Sequence, residues 1–144
     1  MPDCPMCTKW DDEPELHIAE FKHCFVLLNQ DQFFPGYTFV FTRSHVTELF
    51  HLSPQVRSAV MEEVNVVAAA LYNAFSPAKI NYELLGNMVP HMHWHLVPRF
   101  TDDPLWPRPI WSEPHEPVIL SAEQYRKRIG IIRTLLETQQ KNGA

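Results

Sequence analysis

Apolar and polar residues alternate with a period of two in several short stretches of the chain, which is typical of β-strands with one buried face. The alternation predicts five strands, over residues 15–21, 23–28, 37–42, 80–85 and 90–100. Lys22 marks the turn between the first two strands, and Pro35-Gly36 marks the turn before the third. The short connections favour antiparallel neighbours, because parallel strands need long crossovers.

Two longer stretches have the period of an amphipathic helix. In the first, Ser53 is placed as an N-cap with Pro54 in the first turn, and Ser76-Pro77 ends the pattern. Its apolar residues recur every three or four positions, at Val56, Val60, Val64, Val67 and Leu71. The second helix, over residues 121–139, begins at the capping box Ser121-x-x-Gln124. Its apolar side consists of Tyr125, Ile129, Ile132 and Leu136.

The order of these elements predicts an α+β fold, a five-stranded antiparallel sheet with one long central helix and a C-terminal helix. The 144 residues are expected to form a single domain, residues 1–144. Residues 1–14 form an N-terminal segment that carries the motif Cys-x-x-Cys. Residues 101–120, which are rich in proline and contain Trp106 and Trp111, are expected to form an ordered loop.

Composition excludes several classes of function. The 17 acidic and 12 basic residues give a net charge of −5, which argues against a protein that coats nucleic acid through its phosphates. No run of 18 apolar residues occurs, so we expect no membrane partner. The N-terminal residues lack the basic region and apolar core of a signal peptide, and the three cysteines suit a reducing compartment. These features predict a cytoplasmic protein.

The segment His91-Met92-His93-Trp94-His95-Leu96-Val97 carries the most specific chemical signal. In a strand, its three imidazoles would share one face, and Met92, Trp94 and Leu96 would face the core. This row of histidines has three interpretations: a solvated polar face, a metal site built on His-x-His, or a catalytic site. In the favoured one, one histidine is a nucleophile and the others position phosphate and metal.

The same segment matches the His-φ-His-φ-His-φ-φ signature, where φ is apolar, and the chain therefore resembles the histidine-triad (HIT) family. The resemblance covers most of the chain, including the Cys-x-x-Cys motif, residues 29–41, the segment around His45, the long helix and residues 86–99. The continuation Val97-Pro98-Arg99 is similar to the dinucleoside polyphosphate hydrolase branch.

The resemblance implies a nucleotidyl hydrolase or transferase that cleaves at the α-phosphate of a small nucleotide substrate. The substrate would be a dinucleoside polyphosphate or a nucleoside phosphoramidate. His93 would attack phosphorus and form a nucleotidyl-histidine, while its other ring nitrogen donates its proton to a nearby carbonyl. His95 would stabilise phosphate charge or assist the leaving group. Asn29 would contact the ribose, and Asn87, where relatives often carry Gln, would bind phosphate over a shorter reach.

Cys4-Pro5-Met6-Cys7 is by itself either half of a zinc site or a pair of reduced cysteines. The resemblance implies that Cys4 and Cys7 join His45 and His91 in a Cys₂His₂ set. Such a closed set suits a structural zinc. His91 would then hold metal, His93 would attack and His95 would assist.

Relatives of this kind also imply a homodimer, formed through the long helix and the strand over residues 80–85. Such a dimer would place the proline-rich loop near the other chain's nucleotide pocket, where Trp106 or Trp111 is expected to be buried. The aromatic run over residues 33–37 would supply either a base-stacking wall or core packing. Two rival functions remain: a nucleotide-binding regulator with slow turnover, and a metal-binding protein without nucleophilic chemistry.

Overall fold

The predicted strands form one antiparallel sheet in the computed structural model, which describes residues 3–142. The strands are β1 (His17–Glu20), β2 (Cys24–Leu28), β3 (Thr38–Thr42), β4 (Lys79–Glu83) and β5 (His93–Arg99). Their order in the sheet is β1-β2-β3-β5-β4, so that β5 lies between β3 and β4. The α+β fold with a five-stranded antiparallel sheet is therefore confirmed.

Both predicted helices are present, and side chains cap them. The long helix α2 (Pro54–Phe75) begins where the Ser53 hydroxyl accepts a hydrogen bond from the backbone N–H of Val56, and it ends at Ser76 in the left-handed conformation. The C-terminal helix α3 (Ala122–Asn142) begins at the capping box. The backbone N–H of Gln124 donates to the Ser121 hydroxyl, and the backbone N–H of Ser121 donates to the Gln124 amide oxygen.

The main hydrophobic core lies between one face of the sheet and these two helices. Val26, Val40, Trp94 and Leu96 are buried there. The buried residues of the helices are mostly the predicted ones: Val60, Val64, Val67, Leu71, Tyr125, Ile129, Ile132 and Leu136. The opposite face of the sheet carries His93 and His95. In the β3–β5 register, His93 pairs with Phe41 and His95 pairs with Phe39.

One helix was not predicted, and the start of one strand was predicted wrongly. Residues 5–12 form a helix, α1 (Pro5–Asp12), which packs on the histidine face through Trp10, stacked on Phe25 at 4.4 Å between ring centroids. The strand expected over residues 90–100 begins only at His93. Pro90 has no N–H to donate, and the N–H of His91 donates to the carbonyl of Val89 instead of to a neighbouring strand. His91 therefore precedes the strand and does not share a continuous row with His93 and His95.

Residues 101–120 contain neither helix nor strand: turns and bends extend to residue 113, and residues 114–120 are irregular. Leu105 and Ile110 are buried in a second, smaller apolar cluster with Phe34, Tyr37 and Val97. The guanidinium of Arg99, which is 1% exposed, donates to the carboxylate of Asp103 at 2.6 Å. These contacts hold the loop against the end of the sheet that carries His95. Within residues 3–142, no helix has an apolar stretch long enough to span a bilayer.

Candidate functional site: two histidines beside a thiol and imidazole cluster

Four side chains with metal-ligating atoms converge from three distant segments. Cys4 and Cys7 come from the start of α1, His45 from the loop after β3, and His91 from the turn before β5. Their ligand atoms all lie within 4.8 Å of one another. The structure thus brings together all four residues of the predicted metal site, and we refer to them as the Cys₂His₂ cluster.

Backbone geometry aims these atoms at a common point. Cys4 is the extended N-cap residue of α1, and the N–H of Cys7 in the first turn donates to its carbonyl at 3.2 Å. Nε2 of His91 lies 2.7 Å from the carbonyl oxygen of Thr42 and donates its proton there. This hydrogen bond leaves a lone pair on Nδ1, directed at the cysteines, as in metal-ligating histidines. Burial lowers the pKa of His91, which favours the neutral form that a metal requires.

Three distances between ligand atoms of the cluster are compatible with a tetrahedral ion. Zinc bonds of about 2.0–2.3 Å imply separations of roughly 3.3–3.8 Å between ligand atoms. Nδ1 of His91 lies 3.4 Å from Sγ of Cys4 and 3.5 Å from Sγ of Cys7, and Nδ1 of His45 lies 3.3 Å from Sγ of Cys7. Two thiols and two imidazoles at this spacing form a closed donor set that could bind a metal ion.

His93 lies on β5 immediately beyond the cluster. Its Nδ1 is 2.6 Å from the carbonyl oxygen of His91 and donates its proton to that oxygen. The lone pair of the neutral ring therefore resides on Nε2, the nitrogen that a nucleophile needs. The ring is 7% exposed and lies 4.9 Å from the ring of His95 between centroids.

His95 faces the same side of the sheet, and its Nδ1 lies 2.6 Å from the hydroxyl oxygen of Tyr37. Burial lowers the pKa of His95 to about 4, and nearby His93 adds to this effect. Burial also raises the pKa of Tyr37, and the carboxylates of Glu83 and Asp31 reinforce the shift. Near pH 7, both the imidazole of His95 and the phenol of Tyr37 are therefore uncharged.

Two cavities flank His95, and Trp111 borders both of them. The larger has a volume of about 650 Å³ and is lined by Asn29, Asp31, Tyr37 and residues 110–115 except Ser112, among others. The smaller has a volume of about 240 Å³ and is lined by Asn87, His93 and the apolar side chains of Leu85, Met88 and Val89. The predicted residues Asn29 and Asn87 thus line different cavities, and His95 borders both.

Trp111 and Glu83 bridge the loop and the sheet beside His95. The indole ring of Trp111 lies edge-on to the His95 ring at 5.4 Å, and its N–H donates to both carboxylate oxygens of Glu83, at 3.0 and 3.1 Å. Glu83 is paired with His95 in the β4–β5 register. Burial raises the pKa of Glu83, although the hydrogen bond from Trp111 opposes that shift.

Sequence reasoning did not single out Glu83 for the site, and it named Tyr37 there only within the aromatic run over residues 33–37, not as a partner of His95. A correct strand register would have found both, because Glu83 lies opposite His95 and Tyr37 lies two residues before Phe39, the partner of His95. No pattern in the sequence places Trp111 against His95, since that contact depends on the path of an irregular loop.

Comparison with known proteins decides the family. The family model of the HIT domain matches residues 11–102 of this sequence. The chain belongs to the HIT family. It is 26% identical over 94 residues to Protein hit of Bacillus subtilis, and the match covers 62% of this chain and 65% of that protein. It is also 26% identical over 110 residues to adenylylsulfatase HINT3 of Arabidopsis thaliana, covering 72% of this chain and 56% of that protein. This HIT protein thus spans less than two thirds of either relative.

Solved HIT structures have the same fold. A histidine triad protein from Marinobacter aquaeolei VT8 is 30% identical, with a TM-score of 0.77 over 85% of this chain and 88% of that one. A Zn-bound histidine triad family protein from Mycobacterium smegmatis has a TM-score of 0.71 at 20% identity, covering 98% of each chain. Diadenosine triphosphate hydrolase of Plasmodium falciparum has a TM-score of 0.65 at 17% identity, covering 86% of this chain and 78% of that one.

Proposed function

We propose that this HIT protein is a nucleotidyl hydrolase or transferase that cleaves at the α-phosphate of a nucleoside-containing substrate through a nucleotidyl-His93 intermediate. The observation that carries the proposal is the hydrogen bond from Nδ1 of His93 to the carbonyl of His91. It leaves the lone pair on Nε2 of a neutral imidazole, which is the reactive form of this nucleophile.

The chemistry proceeds in two displacements. Nε2 of His93 forms a bond to the α-phosphorus, and the bond from phosphorus to the leaving group breaks with its electron pair going to that group. Water, or another acceptor, then attacks phosphorus and the P–N bond breaks, which returns the electron pair to Nε2. With water, the products are a nucleoside monophosphate and the protonated leaving group: the leaving group takes a proton from solvent, and the attacking water releases one. Two easier steps replace one difficult displacement.

The two cavities support a proposed location for each part of the substrate. The larger cavity has room for a nucleoside, and the Asn29 amide at its wall would bind the ribose hydroxyls. The smaller cavity, with His93 and Asn87 in its wall, would hold the leaving group, and the Asn87 amide would donate to a phosphate oxygen. His95 borders both cavities, where the α-phosphate would lie.

The names of two relatives support a nucleotide substrate. One is an adenylylsulfatase and the other a diadenosine triphosphate hydrolase. For this chain we propose a dinucleoside polyphosphate or a nucleoside phosphoramidate. A cytoplasmic location remains a prediction from the sequence.

We also propose that the Cys₂His₂ cluster holds a structural zinc ion. Its donor set and its 3.3–3.5 Å contacts support this assignment. An ion held there would fasten α1 to the sheet, where Trp10 covers Phe25 and the Lys9 ammonium lies 5.3 Å from the centre of the Phe39 ring. His93 and His95 lie outside the cluster and remain available for chemistry.

The decisive experiment is to trap the intermediate. Purified protein is mixed with each of several dinucleoside polyphosphates and nucleoside phosphoramidates, quenched early, and analysed by intact-mass and peptide mass spectrometry. We expect an added nucleoside monophosphate on the peptide that contains His93, and none in the His93→Ala variant. An adduct on another residue, or hydrolysis without loss in His93→Ala, would contradict the proposal.

A further inference from the structure

The hydroxyl of Tyr37 has one side-chain partner among the described residues, Nδ1 of His95 at 2.6 Å. Tyr37 is 7% exposed, so water does not replace that partner freely. The position is a consequence of the sheet, because Tyr37 precedes β3 by one residue and lies on the same face as Phe39, which pairs with His95. The hydrogen bond therefore links Tyr37, which directly follows the Pro35-Gly36 turn, to His95 on β5.

The direction of this hydrogen bond follows from the chemistry of the two groups. Nδ1 of a neutral imidazole either carries a proton and donates a hydrogen bond, or carries a lone pair and accepts one. If Nδ1–H donated to Tyr37, the phenolic hydrogen would be buried without an acceptor among the described residues, which is unfavourable. If Tyr37 donates to Nδ1, both groups are satisfied. The proton of His95 is then on Nε2, for which the structure shows no protein acceptor among residues 3–142 and which is therefore free to bind a ligand in the adjoining cavities.

We propose that Tyr37 is a positioning residue: its hydroxyl donates to Nδ1 of His95 and holds the imidazole proton on Nε2, so that His95 presents a fixed hydrogen-bond donor to the phosphate group. His93 has the opposite arrangement, because its Nδ1–H is bound to the carbonyl of His91 and its Nε2 carries the lone pair. Two adjacent imidazoles thus offer a nucleophile and a donor. The phosphate part of this inference rests on the proposed function, whereas the position of the proton does not.

The consequence is a restricted role for His95. With the proton on Nε2 and a neutral ring, His95 stabilises negative charge on a phosphate oxygen by hydrogen bonding. No proton transfer from His95 is required, so neither an imidazolate nor a tyrosinate forms. Correct aim of such a donor at developing charge is a substantial contribution to catalysis.

The first test is spectroscopic and needs no substrate. Long-range ¹H–¹⁵N correlation spectra of histidine-labelled protein, with the metal content kept constant, report which ring nitrogen of His95 is protonated. We expect a single tautomer with the proton on Nε2 and a slowly exchanging Tyr37 hydroxyl proton. In Tyr37→Phe we expect exchange between two tautomers. A proton on Nδ1 in the wild type, or an unchanged single tautomer in a folded Tyr37→Phe protein, would overturn the proposal.

A matched control removes another buried phenol hydroxyl. Tyr125 is 8% exposed, and its hydroxyl donates to the carbonyl of Gln30. Tyr125→Phe should leave the His95 signals unchanged, so a change there would show that the effect is not specific to Tyr37. If Tyr37→Phe does not fold, the wild-type tautomer and hydroxyl proton still decide the inference.

The second test uses the reaction. With a nucleotide substrate that the wild type cleaves, Tyr37→Phe should lower kcat by about tenfold or more, with little change in KM, because a misdirected donor weakens transition-state binding. The nucleotidyl adduct should still form on His93. An unchanged kcat would refute the catalytic part, whereas a wild type that cleaves no nucleotide would refute the proposed function and leave the proton assignment to the spectra.

Discussion

Sγ of Cys4 and Nδ1 of His91 lie 3.4 Å apart, although the two residues are separated by 87 positions in the chain. The contact joins the N-cap of α1 to the turn before β5. The Cys₂His₂ cluster and the proposed nucleophile, His93, are therefore neighbours along the backbone, and the carbonyl of His91 accepts a hydrogen bond from Nδ1 of His93. The proposed metal site and the proposed catalytic site share His91 but use different atoms of it.

A zinc ion should copurify with the protein. Elemental analysis of protein prepared without chelator is expected to give about one zinc per chain, and removal should cost several kcal/mol of stability, because metal binding energy contributes to folding. Cys7→Ser should lose most of the metal. Cys24→Ala is the matched control, since Cys24 is a buried free thiol outside the cluster and should retain it. Protein that contains no metal, and gains no stability when zinc is added, would contradict the site.

His93→Ala should remove turnover and keep both nucleotide binding and metal. We expect a loss of roughly three orders of magnitude or more in kcat/KM, because the covalent route is removed. His51→Ala, which alters an exposed histidine that lines neither of the two cavities beside His95, is the control. Zinc content separates the alternatives, since a metal site built on His-x-His would lose its ion in His93→Ala. Normal turnover in that variant would refute His93 as the nucleophile.

Stability should fall at acid pH because of His95. Its pKa is about 4 in the folded protein against 6.5 for an ordinary histidine, so the unfolded chain binds the extra proton first. Stability is unaffected by this group above pH 6.5 and decreases as the pH falls from 6.5 to about 4, by up to about 3 kcal/mol. Urea unfolding across this range should show a shallower decrease for His95→Asn. Equal slopes for the two proteins would contradict the shift.

The homodimer remains a prediction, and the structure supplies a surface on which to test it. Tyr72 of α2 and Tyr82 of β4 are both half-exposed beside a surface cavity of about 440 Å³ that they line. Light scattering should give twice the 16.8 kDa mass of the chain, and Tyr82→Glu should shift it towards the monomer because a buried charge opposes association. His51→Glu adds the same charge elsewhere. A fully active monomer at high concentration would refute the dimer.

The sequence was informative where short-range periodicity or a local motif carries the structure. The helix stripes, the capping box at Ser121 and the five strands follow from residues within one element. The helix α1 was missed because its mixed sequence, with Cys4 as an N-cap that makes no side-chain hydrogen bond, gives little local signal. Its place is set by contacts with Phe25 and with His91, far away in the chain.

The candidate site likewise has parts that the sequence predicts and parts that depend on contacts between distant segments. The Cys₂His₂ residues were identified through the resemblance to the HIT family, and the proton acceptor for His93 was expected as an unspecified carbonyl. The identity of that carbonyl depends on the turn that places His91 outside β5. Trp111 and Tyr37 reach His95 through loop geometry and strand register, which periodicity within one segment does not encode.

The position of β5 between β3 and β4 constrains the order in which the molecule folds. His45 follows β3 by three residues and His91 precedes β5 by two, so these ligands meet only once the two strands pair. That pairing closes a long loop containing α2 and β4, and such non-local contacts form slowly. The N-terminal cysteines, although first in the chain, therefore find their partners only after the central pairing. If the cluster holds zinc as proposed, we expect the ion to be captured late in folding, after β3 and β5 have paired.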